Sequence, residues 1–396
     1  MTAESSLIPE APSPEARALI ERLIAFDTTS RNSNLELIHF VQTYLDDFGI
    51  GSILTYDETR QKANLYATLG PDDRGGIALS GHTDVVPVDG QDWSSDPWRV
   101  REQDGRLYGR GSCDMKSFIA LALAFVPRFL ERGLNTPIHL CFSFDEEIGC
   151  VGVRHLLKFL AAQPVKPAAC IIGEPTGMKV INAHKGKLSL RCRVHGHECH
   201  SSLAPVGVNA VQYAARVIGY LADMAERKAV VGPFDEDYDV AHTTVHCGLV
   251  HGGTALNIVP KDCFFDFEFR NLPGEDPQQL FAAVKAYAHD ELEPAMKRIN
   301  PETGFTWEPL SAFPGLNTPE DSEVVQLAKA LAGSNDCGKV AFGTEAGQFQ
   351  EHGIPTVVCG PGSIEQAHKP DEFVTLEQLA RCERFLGRLL DRVAAG

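Results

Sequence analysis

Apolar positions recur along the chain with two different periods, and the order of those periods outlines the architecture. Near the N-terminus Ala18, Leu19, Leu23 and Ile24 fall at helical spacing behind Ser13, a suitable cap, and Pro14, which suits a first turn. A second helix is expected over residues 35–48. Short apolar runs of strand length then alternate with helical stretches. Strands are expected over 77–86 (IALSGHTDVV), over 138–144 (IHLCFSF) and from 170 to 172, with helices over 117–132 and 151–160. Strand and helix in alternation indicate an α/β layer with a largely parallel sheet.

The pattern changes near residue 182. Lys187 to Val194 (KLSLRCRV) alternates as a half-exposed strand should. A long helix over 208–228 follows, then strands over 243–250 and 263–270 and a helix over 276–292. This β-α-β-β-α order resembles a small open-faced sandwich. After about residue 310 the α/β character returns, with a helix over 322–331, a strand over 356–359 and a last helix over 376–393. The expected fold is therefore α/β. A discontinuous catalytic domain (1–181 and 311–396), with a mostly parallel mixed sheet flanked by helices, carries an inserted α+β, ferredoxin-like sandwich over 182–310.

Length and composition agree with this and narrow the function. A chain of 396 residues is long for one core. The net charge of −17 argues against non-specific binding to nucleic acid or anionic membrane. No run approaches ~18 apolar residues, so no membrane-spanning helix is expected. The first residues lack a basic region followed by an apolar run, so no secretory signal is read there. Eleven cysteines lie singly, without a C-x-x-C pair. That fits free thiols in a cytoplasmic setting rather than a disulfide framework or a cysteine zinc knuckle.

Five acidic or histidine-bearing clusters stand out: His82-Thr83-Asp84, Asp114 in GRGSCDMKS, Glu146-Glu147 after the IHLCFSFD run, Glu174 in IIGEPT, and His368 in GPGSIEQAHKPDE. Singly, each has a plainer reading. His82 and Asp84 could be a surface or capping pair, and Asp114 a helix N-cap. Glu146 and Glu147 could form a solvated face, and Glu174 and His368 could be ordinary loop residues. Jointly they say more. Four of the five lie at or just beyond the ends of predicted strands, and such loops converge on one crevice in an α/β sheet. Two histidines and several carboxylates converging there make a ligand set for two divalent metal ions. In an extended strand His82 and Asp84 point to the same side, so Asp84 could hold the His82 imidazole in the metal-binding tautomer.

GHTDVVP, GRGSCDMKS, DEEIGC, GEPT and AHKPDE are arranged as in the metal-dependent aminoacylase and carboxypeptidase family, which the chain resembles over nearly its whole length. That family includes acetylornithine deacetylases and succinyl-diaminopimelate desuccinylases, and GPGSIEQAHKPDE is most similar to the former. The resemblance implies that His82 and Glu174 bind one metal, Glu147 and His368 a second, and Asp114 bridges both. It implies that Glu146 is the general base, that Asp84 orients His82, and that a cis peptide follows Asp114. It implies Zn2+ or Co2+ as the metals and a small N-acyl amino acid as substrate. It further implies a homodimer in which His200 (GHECHSS) reaches the neighbouring subunit's site. Asn257 and Arg270 would line the substrate, Arg270 on its carboxylate. The plainer readings are a surface strand-end residue for His200 and an exposed charge on an edge strand for Arg270. Glu345 (GTEAGQF) is expected to border the substrate site and favour a cationic side chain, or else to cap the following helix.

The chemistry explains these residue types. Amide hydrolysis needs a nucleophile stronger than neutral water, which two metals roughly 3.5–4 Å apart can provide by lowering the pKa of a water between them. A positioned carboxylate then moves its proton. A desuccinylase, aminoacylase or dipeptidase would use the same residues, whereas a non-catalytic relative would be expected to lack one of them.

Overall fold

A computed structural model describes residues 11–394. The first ten residues, read above as lacking a leader, lie outside the described residues. The chain divides into two compact units. One runs through Ala183 and resumes over Leu316–Gly338 and from Thr344; the other comprises His184–Gly315 and Lys339–Gly343. The short segment Lys339–Gly343 thus groups with the inserted unit and not with the flanking one.

The first unit is built on a large mixed sheet. Eight of its strands lie in the order Ser52–Tyr56, Ala63–Leu69, Ile138–Ser143, Ile77–His82, Ala169–Pro175, Thr356–Gly360, Val180–His184 and Leu316–Asn317. The central four run parallel. Every residue of Ile77–His82, Ile138–Ser143 and Thr356–Gly360 is buried. Helices cover parallel strands on both faces, which is why these segments read as continuous apolar runs. Leu79, Leu140, Ile171 and Val357 from the sheet share one core with Ile119, Leu123, Phe385 and Leu389 from helices.

Two expectations need correction here. The strands Ser52–Tyr56 and Ala63–Leu69, not anticipated, form an antiparallel edge. The helix expected over 117–132 is two helices, Lys116–Ala124 and Val126–Arg132. Pro127 is the cause: it has no N–H to donate to the carbonyl of Leu123 and its ring crowds that carbonyl. The Leu123 carbonyl accepts the Tyr44 hydroxyl instead, at 3.2 Å.

The second unit is a four-stranded antiparallel sheet in the order Thr244–Gly252, Asp262–Arg270, Lys187–His195, Gly304–Phe313. Asp262–Arg270 alternates strictly, with Cys263, Phe265, Phe267 and Phe269 buried. They pack against Val217, Leu221 and Val284 from the helices Ala210–Val231 and Pro277–Ala286. The fourth strand, Gly304–Phe313, was not anticipated and completes the ferredoxin-like order. The helix expected over 276–292 gives way to a π-helical turn, Tyr287–Leu292, and a further helix, Glu293–Ile299. Pro294 cannot donate back to Asp290, so the α ladder is interrupted there. Among the described residues no helix is long and apolar enough to cross a membrane, and all eleven cysteines are free thiols.

Candidate metal centre

Parallel register brings the strand ends of the first unit together. His82 pairs with Ser143, and Ser80 pairs with Ile172, so Glu174 stands level with His82. Glu146 and Glu147 lie just beyond Ser143. Asp114 lies two residues before the first residue of the helix Lys116–Ala124 and is joined to Met115, the residue between, by a cis peptide. That helix lies close on the sheet because residue 173 is glycine: a Cβ there would sit 2.0 Å from the Phe118 ring. His368 enters from the loop after Thr356–Gly360, with a φ of 62°.

The two oxygens of Asp114 face different histidines. Oδ1 lies 2.9 Å from His82 Nε2 and Oδ2 lies 3.3 Å from His368 Nε2. Glu174 Oε1 is 3.5 Å from the same His82 nitrogen, and Glu147 Oε2 is 3.0 Å from the same His368 nitrogen. Ligand atoms of His82, Asp114 and Glu147 lie within 4.8 Å of one another, as do those of His82, Glu146 and Glu174. The structure therefore brings together all five residues expected to bind metal, together with Glu146.

The electrostatics report a shortage of positive charge. Burial and the charge of Asp114 push Glu147 up to about 7 and Glu174 up to about 8. Burial, with Glu174 next, also raises Glu146 well above the carboxylate range. For His82 burial acts downward, but Glu174, Asp114 and Asp84 outweigh it and hold the imidazole well above its ordinary value. Asp114 and Glu147 raise His368 to about 10. A carboxylate gains protons in such a place because nothing else neutralises it. Divalent cations would do so, and the donor set fits them. Both histidines aim Nε2 at carboxylate oxygens, and Glu147 Oε1 is buried with no hydrogen-bond partner among the described residues.

Asp84 differs in detail from expectation. His82 Nδ1 meets the Asp84 backbone carbonyl at 2.9 Å, with the carboxylate further away at 3.5 Å. The carboxylate instead accepts the Ser30 hydroxyl at 2.7 Å and the backbone N–H groups of Glu146 and Glu147 at 3.0 and 3.3 Å. Cys150 Sγ donates to Glu146 Oε1 at 3.2 Å. Neither Ser30 nor Cys150 was singled out from sequence; each is an ordinary small residue there.

Glu345, expected to border the substrate site, is enclosed. It is 1% exposed, its Oε1 accepts the Ser143 hydroxyl at 2.5 Å, and it makes no side-chain cap to the helix Ala346–Glu351. Its charge adds to those raising Glu146. In the inserted unit His200 is exposed, with Nδ1 2.8 Å from Ser202 Oγ. A bridge between His200 and Ile258, and the Ser201 N–H on the Asn257 carbonyl at 2.9 Å, set His200 beside Asn257. Arg270 ends an interior strand and pairs with Glu268 at 2.9 Å.

With two histidines on opposite oxygens of Asp114, beside strand-end carboxylates of a parallel sheet, the geometry is that of a metal-dependent hydrolase. The chain belongs to peptidase family M20/M25/M40, whose family model matches residues 78–392. It is 34% identical over 388 residues to an acetylornithine deacetylase of Myxococcus xanthus, covering 97% of this chain and 98% of that protein. It is 35% identical over 369 residues to an acetylornithine deacetylase of Photorhabdus laumondii, covering 93% of this chain and 92% of that protein. Among solved structures it resembles a Bacillus cereus aminopeptidase, with a TM-score of 0.73 at 22% identity, covering 97% of this chain and 99% of that one. It also resembles a dinuclear metal binding peptidase from the M20 family of Bacillus subtilis, with a TM-score of 0.66 at 16% identity, covering 95% of this chain and 96% of that one.

Proposed function

We propose that the protein hydrolyses the N-acetyl amide of N2-acetyl-L-ornithine to L-ornithine and acetate, a step of arginine biosynthesis, with two divalent cations, zinc or cobalt. The observation that carries the two-cation chemistry is the pair of donor sets on opposite oxygens of Asp114. His82, Asp114 and Glu174 would hold one cation, and Asp114, Glu147 and His368 the other. When bound, the cations polarise the acyl oxygen and make a water between them more acidic.

The chain's own residues do the rest. Glu146, held by its backbone N–H on Asp84 and by Cys150 on Oε1, takes the proton of the attacking water and passes it to the departing amine. His200 acts as the oxyanion donor, from the partner of a homodimer formed through the inserted unit, and Asn257 lines the substrate. Support for pairing comes from the edge strand Thr244–Gly252, whose Leu249 and Val250 are 40% and 56% exposed. Soluble proteins seldom leave such an edge bare. Arg270 would take the substrate carboxylate, as guanidinium groups do bidentately.

The acetylornithine reading is supported by nearly full-length similarity to proteins of that name. Its test is a kcat/KM comparison of N-acetylornithine, N-acetyl-leucine and N-succinyl-diaminopimelate on the metal-loaded enzyme. N-acetylornithine should be the best of the three. A higher value for the succinyl substrate overturns the reading.

A further inference from the structure

Asp114 and His368 share the second cation position, yet they come from loops far apart in sequence. His368 has little to fix it locally. It is about half exposed, it lies outside any helix or strand, and its φ is positive. What joins the two loops is Glu372, only 1% exposed. Its Oε1 accepts the backbone N–H groups of Cys113 and Asp114 at 2.8 and 3.0 Å. Its Oε2 accepts the Gly111 N–H at 3.1 Å and Arg110 at 2.7 Å. One buried carboxylate thus takes four donors from the Asp114 loop.

The network continues to His368 itself. Arg110, also 1% exposed, donates to Gln91 Oε1 at 2.6 Å, and Gln91 Nε2 donates to the His368 carbonyl at 3.1 Å. The Glu372 backbone carbonyl adds a further tie, accepting the Gly109 N–H at 3.0 Å. The His82 side of the centre is held differently, because His82 and Glu174 stand on adjacent strands in fixed register.

We propose that Glu372, acting through Arg110 and Gln91, is a positioning residue that fixes His368 against Asp114 and so sets the affinity of the second cation position. This rests on the two-cation reading. Removing the clamp should weaken the position of Asp114, Glu147 and His368, which draws on both clamped loops, more than that of His82, Asp114 and Glu174, where only Asp114 comes from a clamped loop and His82 and Glu174 stand on paired strands. In Glu372→Gln the amide cannot accept on both sides. Whichever way it turns, its NH2 group faces two other donors.

The experiment is calorimetric titration of metal-depleted full-length protein with Co2+, followed also by visible absorption. Wild type should take two Co2+ ions; if it does not, the two-cation reading itself fails. Glu372→Gln should bind the first within about threefold of wild type and the second ~10–100-fold more weakly, the usual cost of losing an outer partner of a metal ligand. Gln91→Ala should weaken the second position by a smaller factor than Glu372→Gln and leave the first within about threefold of wild type. The proposal is overturned if the Co2+ affinities and spectrum of Glu372→Gln match wild type, or if both positions weaken equally. Should Glu372→Gln fail to fold, Gln91→Ala decides alone: selective weakening of the second ion supports the clamp, and anything else overturns it.

Discussion

The carboxylate of Asp84 accepts the backbone N–H of Glu146 at 3.0 Å, so the residue next to His82 also fixes the proposed general base. Its other oxygen takes the Glu147 N–H and the Ser30 hydroxyl. Asp84→Asn replaces one acceptor with a donor that faces an N–H group. Because one side chain holds the backbone of both Glu146 and Glu147, the expected loss in kcat at saturating metal is ~10–100-fold. Steady-state kinetics of the variant check this, and a kcat within about twofold of wild type would remove Asp84 from the machinery.

Glu146 and Glu147 are adjacent but should fail in different ways. Glu147 faces His368 at 3.0 Å and has a second oxygen with no partner among the described residues, the geometry of a ligand. Glu147→Gln should lower metal content. Glu146→Gln should keep the metal content of wild type while lowering kcat by ~10²–10⁴-fold, the range of general acid–base catalysis. Metal analysis beside kinetics separates them. Near-normal kcat in Glu146→Gln would mean that the base has been misassigned.

Much of this centre was legible in the sequence, because metal ligands at strand ends are long polar residues that interrupt apolar runs. His82 and Glu174 lie at the ends of such runs, on strands that are buried throughout or at all but the first residue. What was hidden follows from residues whose polarity is satisfied internally. Ala63–Leu69 did not read as a strand because Asn64 and Thr68 break its apolar pattern. Asn64 is nonetheless buried and donates to Thr55 and to the Gly152 carbonyl. Glu372 was visible within AHKPDE, but nothing in one dimension shows that it collects backbone donors from the Asp114 loop. The burial of Glu345 was equally hidden: it follows from its bond to Ser143 on a strand some two hundred residues earlier.

Stability should depend on pH in a way that metal reverses. Glu147 and Glu174 titrate at about 7 and about 8 in the folded chain against an ordinary 4.5. The metal-free folded state therefore holds protons that the unfolded chain releases as pH rises through that window, so stability falls. His82 and His368 act in the same direction. Their pKa values are raised on folding, so their contribution is complete below about 6.5 and is lost as pH rises through the folded values, about 10 for His368. Asp114 is lowered and opposes this only at acid pH. The gap in Tm between metal-loaded and chelated protein should widen from pH 5 to pH 8, because cations replace the protons. Thermal melts across that range check it; a gap that narrows would contradict the assignment.

If His200 serves the site of a partner subunit, two inactive variants should rescue one another. Mixed His200→Ala and Glu146→Gln subunits form some dimers with one site in which both residues are intact. Regained amine release after co-refolding, beyond either variant alone, is the expected outcome. No recovery in dimers shown to be mixed would place His200 outside the partner's site.

The central claim, catalysis by two cations gathered around Asp114, is tested most directly by metal titration of activity. Protein depleted with a chelator and then dialysed is given Zn2+ or Co2+ in steps while amine release from N-acetylornithine is followed. Activity should be absent at the start, return as metal is added, and reach its limit at two equivalents per chain. Full turnover by the metal-free protein would contradict the account.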